Sequence, residues 1–263
     1  MIKEIKSDSL IWKEEYRIPS YAVASNGQVK FYFIGNFLFD IASNHASHLH
    51  WGFEDMQKNN QYWVLSRFHV KMIKYPFMQE IICLETWPKG IDRLFALRDY
   101  RISDLSGNII CLATSAWLIM DAGTGKPLRI SDFRELFDYN PDRYSIKEVP
   151  DKLPPVIEPD YQVSVRVLFS DLDINKHVNS GKYLEWIQDC YAEEYYEQRN
   201  IREFQINFLS ETRFDETIKL SRMTGMHQPE CHYFEGIKER DQTAAFRARI
   251  VWDESLINNL LCY

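Results

Sequence analysis

The 263 residues suffice for one large domain or two of ordinary size, and 45% hydrophobic with 26% charged residues is the balance of a soluble globular chain. A formal net charge of −7 argues against sequence-wide attraction to nucleic acid or an anionic membrane, and no apolar run approaches the roughly 18 residues of a membrane span. The five cysteines are scattered without a C-x-x-C pair, and the first 13 residues lack a signal-peptide core, so a reducing, cytoplasmic setting is expected.

In chain order, residues 14–18 read as a short strand. Residues 36–49 then carry Leu38, Ile41, Ala42, His45, Ala46 and Leu49 at helical spacing. Strands are expected at 62–71, 80–86, 94–103 and 108–121, with Asp104-Leu-Ser-Gly107 turning between the last two. Leu65, Phe68 and Val70 suit one packed face, while 109–120 is apolar almost throughout, as a strand covered on both faces would be. Residues 151–159 hold Pro154 and Pro155, which remove two backbone donors, and read as a stiff surface linker. Beyond it the plan recurs: a strand at 161–169, a helix at 180–196, then strands at 203–209, 217–225, 230–240 and 243–251. One strand, one helix and four strands, twice over, predict an α+β chain. Connections of a few residues cannot make parallel crossovers, so each half is an antiparallel sheet curled around a long helix.

The densest polar stretch is Ser170-Asp-Leu-Asp-Ile-Asn-Lys-His-Val-Asn179. Asp171, Asp173, Asn175, His177 and Asn179 alternate, so an extended backbone would turn them to one side. A helix beginning near Ser180 offers unpaired N–H groups and partial positive charge, which suit an oxyanion. Asp and Asn beside a helix start are also ordinary caps, and Asn179 or Ser180 is the expected N-cap. His45, His48 and His50 lack a paired i, i+4 spacing with a nearby carboxylate and do not read as metal ligands.

The stretch Asp171-Leu-Asp-Ile-Asn-Lys-His-Val-Asn-Ser-Gly-Lys-Tyr-Leu-Glu-Trp186 resembles the D-x-D-x-N-x-H-V-N-N-x-x-Y segment of acyl-acyl carrier protein thioesterases. Ser43-Asn-His-Ala-Ser-His-Leu-His-Trp-Gly52, Trp63-Val-Leu-Ser-Arg-Phe-His-Val70, Tyr75-Pro76, Glu85-Thr-Trp87 and Ala113-Thr-Ser-Ala-Trp-Leu-Ile-Met120 resemble other parts of that family. Asn207-Phe-Leu-Ser-Glu-Thr-Arg-Phe-Asp215 resembles the segment bearing its catalytic glutamate, which falls on Glu211. Plant members have a cysteine next; Thr212 stands there in this chain, which excludes a cysteine nucleophile at that position.

The resemblance implies two tandem hot-dog domains, 1–150 for the acyl chain and 151–263 for catalysis. It implies hydrolysis of fatty acyl-acyl carrier protein thioesters by water, without cofactor or metal. Glu211 and His177 would be the bases. Asn175 and the helix-start N–H groups would stabilise the oxyanion, with Asp173 orienting Asn175 or His177. Ile41, Trp51 and Trp63 would hold the acyl tail. Lys176, Lys182 and Arg213, with Arg93 and Arg98 as further options, would meet an acidic carrier protein. No nucleic-acid partner or stable membrane insertion is expected, and a homodimer is left open. The alternatives are an acyl-CoA thioesterase, a hot-dog dehydratase and a non-catalytic acyl-binding protein.

Overall fold

The computed structural model describes residues 10–130, 133, 138–140 and 142–253. The chain divides into two compact units, Met1–Asp151 and Lys152–Tyr263. The first contains β1 (Trp12–Arg17), α1 (Phe31–His48), α2 (Phe53–Lys58), β2 (Gln61–Met72), β3 (Ile81–Asp92), β4 (Phe95–Asp104) and β5 (Ile109–Asp121). Its strands lie in the order β1-β3-β4-β5-β2, every neighbouring pair antiparallel. The interior place of β5 accounts for its almost unbroken apolar sequence, with Ile110, Cys111, Ala113, Ala116 and Ile119 buried. A bulge between Leu65 and Arg67 inserts one residue into β2. The extra residue resets the alternation and brings Leu65, Phe68 and Val70 to one buried face despite their uneven spacing.

Helix α1 packs against β3 and β1 and buries Phe31, Ile34, Leu38, Ile41, Ala42 and His45, a stripe of the 3.6-residue period. It begins a turn earlier than the sequence pattern suggests, because Phe31 and Ile34 extend the same stripe. Helix α2 is absent from the sequence reading, being too short to display a period. Glu54 and Asp55 in its first turn suit the positive end of its dipole.

The second unit contains β6 (Tyr161–Arg166), α3 (Ser180–Gln188), α4 (Glu193–Gln198), β7 (Ile201–Phe208), β8 (Thr217–Gly225), β9 (Gln228–Lys238) and β10 (Ala244–Trp252). These strands lie in the order β7-β10-β9-β8-β6, again antiparallel. The single helix expected over 180–196 is two helices. Tyr191 sits in the break, where its hydroxyl meets His232 Nδ1 at 2.6 Å and its ring lies 4.8 Å from that of Trp252. Tyr195 and Tyr196 join the same cluster from α4. Three half-buried tyrosines thus gather around His232 and Trp252 at the place where a continuous helix would have run. The proline-rich stretch is also less free than a surface linker. The Leu153 N–H donates to Asn207 Oδ1 at 2.7 Å, and Leu153 itself is buried.

Candidate active site

Residues 171–179 do not form the extended segment that their alternation suggests. Leu172 bridges Val178, the Asp173 N–H donates to the His177 carbonyl at 2.7 Å, and the Lys176 N–H returns to the Asp173 carbonyl at 3.0 Å. Lys176 takes a left-handed φ of 62° at the tip. Asp173 causes the closure: its Oδ1 accepts from the Asn175 and His177 N–H groups at 2.8 and 3.1 Å. The single polar face is therefore lost. Asp171 is buried, whereas Asn175, Lys176 and Asn179 are exposed. The Asp173 carboxylate thus holds both Asn175 and His177 by their main-chain N–H groups. Asp171 holds the entry to the turn, accepting from the Leu168 N–H at 2.8 Å and pairing with Lys182 at 3.2 Å.

A second loop, after β7, runs alongside. His177 bridges Arg213, and the Val178 N–H donates to the Thr212 carbonyl at 2.8 Å. That register brings His177 Nε2 to 3.1 Å from Glu211 Oε2, with the imidazole side chain 20% and the carboxylate side chain 37% exposed. Two acid–base groups thus touch at the edge of solvent, on turns fixed by main-chain bonds. Thr212 is fully buried, so the side chain after Glu211 points inward. Asn179 caps α3, its side chain taking the Gly181 N–H and its carbonyl the Lys182 N–H. Those two amides are spent and cannot serve as oxyanion donors, which corrects the expectation of several free helix-start groups.

The basic candidates separate. Lys176 is exposed at the turn tip, and Arg213 is exposed while its Nη2 lies 3.5 Å from Glu211. Lys182 is instead held between Asp171 and Glu185, at 3.2 and 2.7 Å. In the first unit Arg98 points inward to His45 Nδ1 and Thr86 Oγ1, at 3.0 and 3.1 Å, and Arg93 is an exposed turn residue with φ of 55°. Trp63 donates to the Trp51 carbonyl at 2.9 Å, and both pack on a small cluster of Met56, Ile119 and Ile130. Ile41 is buried on α1, apart from that cluster.

Comparison with known proteins bears on this geometry. Residues 9–137 match the model of the acyl-ACP thioesterase N-terminal domain, and residues 157–254 that of the C-terminal domain. The chain belongs to the acyl-ACP thioesterase family. The solved acyl-ACP thioesterase from Bacteroides thetaiotaomicron is similar at a TM-score of 0.82 and 26% identity, covering 92% of this chain and 98% of that one. The 12:0-ACP thioesterase from Umbellularia californica, at 21% identity, shares the fold with a TM-score of 0.83 over 95% of this chain and 99% of its own. Both units of this family member are accordingly hot-dog domains. Oleoyl-acyl carrier protein thioesterase 1 of Arabidopsis thaliana is 26% identical over 231 residues, which is 81% of this chain and 64% of that protein. The chain spans less than two thirds of the length of these curated relatives, the oleoyl-acyl carrier protein thioesterases of Arabidopsis thaliana and Coriandrum sativum.

Within this thioesterase-family chain, the first unit repeats the turn of the second with different side chains. Val23 bridges Val29 as Leu172 bridges Val178, and Gln28 bridges Phe77 as His177 bridges Arg213. The Lys30 N–H reaches Ala22 as the Asn179 N–H reaches Asp171, and the Val29 N–H reaches Pro76 as the Val178 N–H reaches Thr212. Gly27, with φ of 81°, takes the place of Lys176. By this register Ala24 stands for Asp173, Asn26 for Asn175, Gln28 for His177 and Tyr75 for Glu211. With no carboxylate at position 24, Asn26 Oδ1 accepts the Gln28 N–H at 3.0 Å. Sequence reasoning missed this repeat, and missed Lys238, whose ammonium donates to the Glu211 carbonyl.

Proposed function

We propose that the second unit hydrolyses fatty acyl thioesters of acyl carrier protein with an activated water. The observation that carries this reading is the 3.1 Å contact of His177 Nε2 with Glu211 Oε2, on adjoining turns of a chain in this family. One member of the pair accepts the proton of water as the water oxygen attacks the thioester carbonyl carbon. The pair returns a proton to the sulfur as the C–S bond breaks, leaving a free fatty acid and the carrier thiol. No cofactor enters this balance. Asn175, exposed on the turn, donates to the carbonyl oxygen as it becomes an oxyanion, together with the helix-start N–H of Ser180. Asp173 holds the turn that presents both Asn175 and His177.

The same proposal gives the acyl tail to the first unit, through Ile41, Trp51 and Trp63, where apolar contact stabilises a chain by about 0.8 kcal/mol per buried methylene. It gives the carrier protein to Lys176 and Arg213. No helix among the described residues is long and apolar enough to cross a membrane. Thiols kept reduced make the cytoplasm the proposed location.

The test is hydrolysis of an acyl carrier substrate by folded Glu211→Gln and His177→Ala proteins. Each should lose about 10²–10⁴-fold in kcat, the span of a positioned acid–base group. Unimpaired Glu211→Gln protein would remove Glu211 from the mechanism. Equal kcat/KM on acyl-CoA and carrier substrates at low salt would move the assignment to an acyl-CoA thioesterase.

A further inference from the structure

Glu211 lies on a loop, so sheet bonds alone do not hold it. The Leu209 and Ser210 N–H groups both donate to the Ala245 carbonyl, at 2.8 and 3.2 Å, and the Thr212 carbonyl accepts from Val178 at 2.8 Å. The Arg213 N–H is capped by Glu216 Oε2 at 2.8 Å. Between these anchors the Glu211 carbonyl itself accepts from the Lys238 ammonium, at the end of β9. Lys238 is only 7% exposed. Taking an ammonium out of water is costly, and a methionine would fill similar space without that cost. The first unit shows what the scaffold does when no carboxylate needs placing. Ile82 pairs with Asp104 as Ile218 pairs with Lys238, so Asp104 holds the equivalent position. Its carboxylate turns back onto its own hairpin, accepting from the Ser106 and Asn108 N–H groups, both at 2.9 Å. The position equivalent to Glu211 there is Tyr75. A buried cation is thus found at this position in the unit that carries the glutamate, and an acidic residue in the unit that does not.

We propose that Lys238 is a positioning residue for thioester hydrolysis. By holding the Glu211 carbonyl it fixes the main chain from which the carboxylate reaches His177. This rests on the reading of Glu211 and His177 as the acid–base pair.

The experiment measures kcat, KM and the pH profile of kcat for the full chain on an acyl carrier substrate, alongside thermal unfolding. The proteins are Lys238→Met, Lys238→Arg, Glu211→Gln and the double variant Lys238→Met/Glu211→Gln. Lys238→Met should lower kcat by about 10–100-fold, the scale of a reacting group displaced by about 1 Å, with little change in KM. It should also displace the limb of the pH profile that the pair governs. Lys238→Arg, which keeps a cationic donor, should recover most of the rate. In the Glu211→Gln background, Lys238→Met should change kcat less than about twofold, because both changes act through one group. Should Lys238→Met fail to fold, Lys238→Gln takes its place in the same cycle. Full multiplication of the two single losses would overturn the proposal, as would an unimpaired, folded Lys238→Met protein beside an impaired Glu211→Gln protein. Unimpaired Glu211→Gln protein would overturn the pair reading, and the Lys238 proposal with it.

Discussion

Asp173→Ala isolates what the catalytic turn owes to one carboxylate. The side chain receives two N–H groups, those of Asn175 and His177, at 2.8 and 3.1 Å. Hydrogen bonds to a charged acceptor contribute roughly 1.5–3 kcal/mol each. The first unit indicates how much of that is recoverable. There Ala24 occupies the equivalent position, and Asn26 Oδ1 takes the Gln28 N–H at 3.0 Å. Asn175 stands where Asn26 does, so in Asp173→Ala it should swing inward and cap the His177 N–H. The two charged bonds are then replaced by a single neutral one of about 0.5–1.5 kcal/mol, and the net loss of stability should be about 2–5 kcal/mol. The rate should suffer as well as the fold. An Asn175 drawn onto the main chain no longer faces the thioester, and losing one oxyanion donor costs about 10²–10³-fold in kcat. Urea unfolding and carrier-thiol release on the same preparation measure both quantities. Adding Asn175→Ala to Asp173→Ala should cost further stability and almost no further activity. Unchanged kcat in folded Asp173→Ala, or a second large loss of kcat in the double variant, would refute the takeover.

Replacing all five cysteines by Ser or Ala should leave hydrolysis largely intact in a folded protein: burial pushes the Cys190 thiol up to about 12 and raises Cys83, Cys111 and Cys231 as well, so none of these four is poised as a thiolate. An acyl-cysteine adduct seen by mass spectrometry would contradict this. Lys176→Glu with Arg213→Gln should raise KM for an acyl carrier substrate, more at low salt than at high, and leave acyl-CoA turnover nearly unchanged; because Arg213 also touches Glu211, equal losses on both substrates would show that it serves the chemistry instead. His232 is held below the usual histidine range by burial and by the Arg222 cation, with Asp160 opposing and Arg199 adding to the effect. The unfolded chain therefore takes up a proton below about pH 6.5 that the folded chain resists, so stability is full above that pH and falls as pH drops toward the lowered folded value. His232→Gln should flatten this part of the stability profile below about pH 6.5, and parallel profiles for the two proteins would assign the acid sensitivity elsewhere.

Strands were the most legible elements. Thr217–Gly225 ends where its apolar pattern ends, and the long apolar run at 109–121 is an interior strand. The misread helix has a physical explanation. Tyr191 and Tyr195 have i, i+4 spacing, yet the pair serves the His232–Trp252 cluster across a break. The polar stretch misled for a related reason: alternation from Asp171 to Asn179 has the period of a strand, but aspartate and asparagine spend their side chains on nearby N–H groups and close turns. Periodicity counts side-chain directions and is blind to that chemistry. The contact between His177 and Glu211 depends on the pairing of two loops far apart in the chain, so only family resemblance pointed to it.

The repeated order of elements was legible, but the repeat of the turn itself was invisible for a deeper reason. What recurs between residues 18–30 and 167–179 is a set of main-chain hydrogen bonds, from Ala22, Ala24, Gly27, Val29 and Lys30 in one unit and Asp171, Asp173, Lys176, Val178 and Asn179 in the other. Main-chain groups are nearly the same whichever residue supplies them, so the shape survived while the letters diverged. The differences fall on the groups to which the proposed mechanism gives the proton or its placement. Alanine replaces the turn-closing Asp173, glutamine replaces His177, and tyrosine replaces Glu211. Glutamine offers a donor and an acceptor but does not titrate near neutral pH, and it cannot exchange a proton with water as imidazole does. Tyr75 is buried and carries no carboxylate. At these equivalent positions the first unit therefore keeps the main-chain scaffold without the His–Glu pair, and among the described residues the proposed hydrolysis is matched by the turn of the second unit alone.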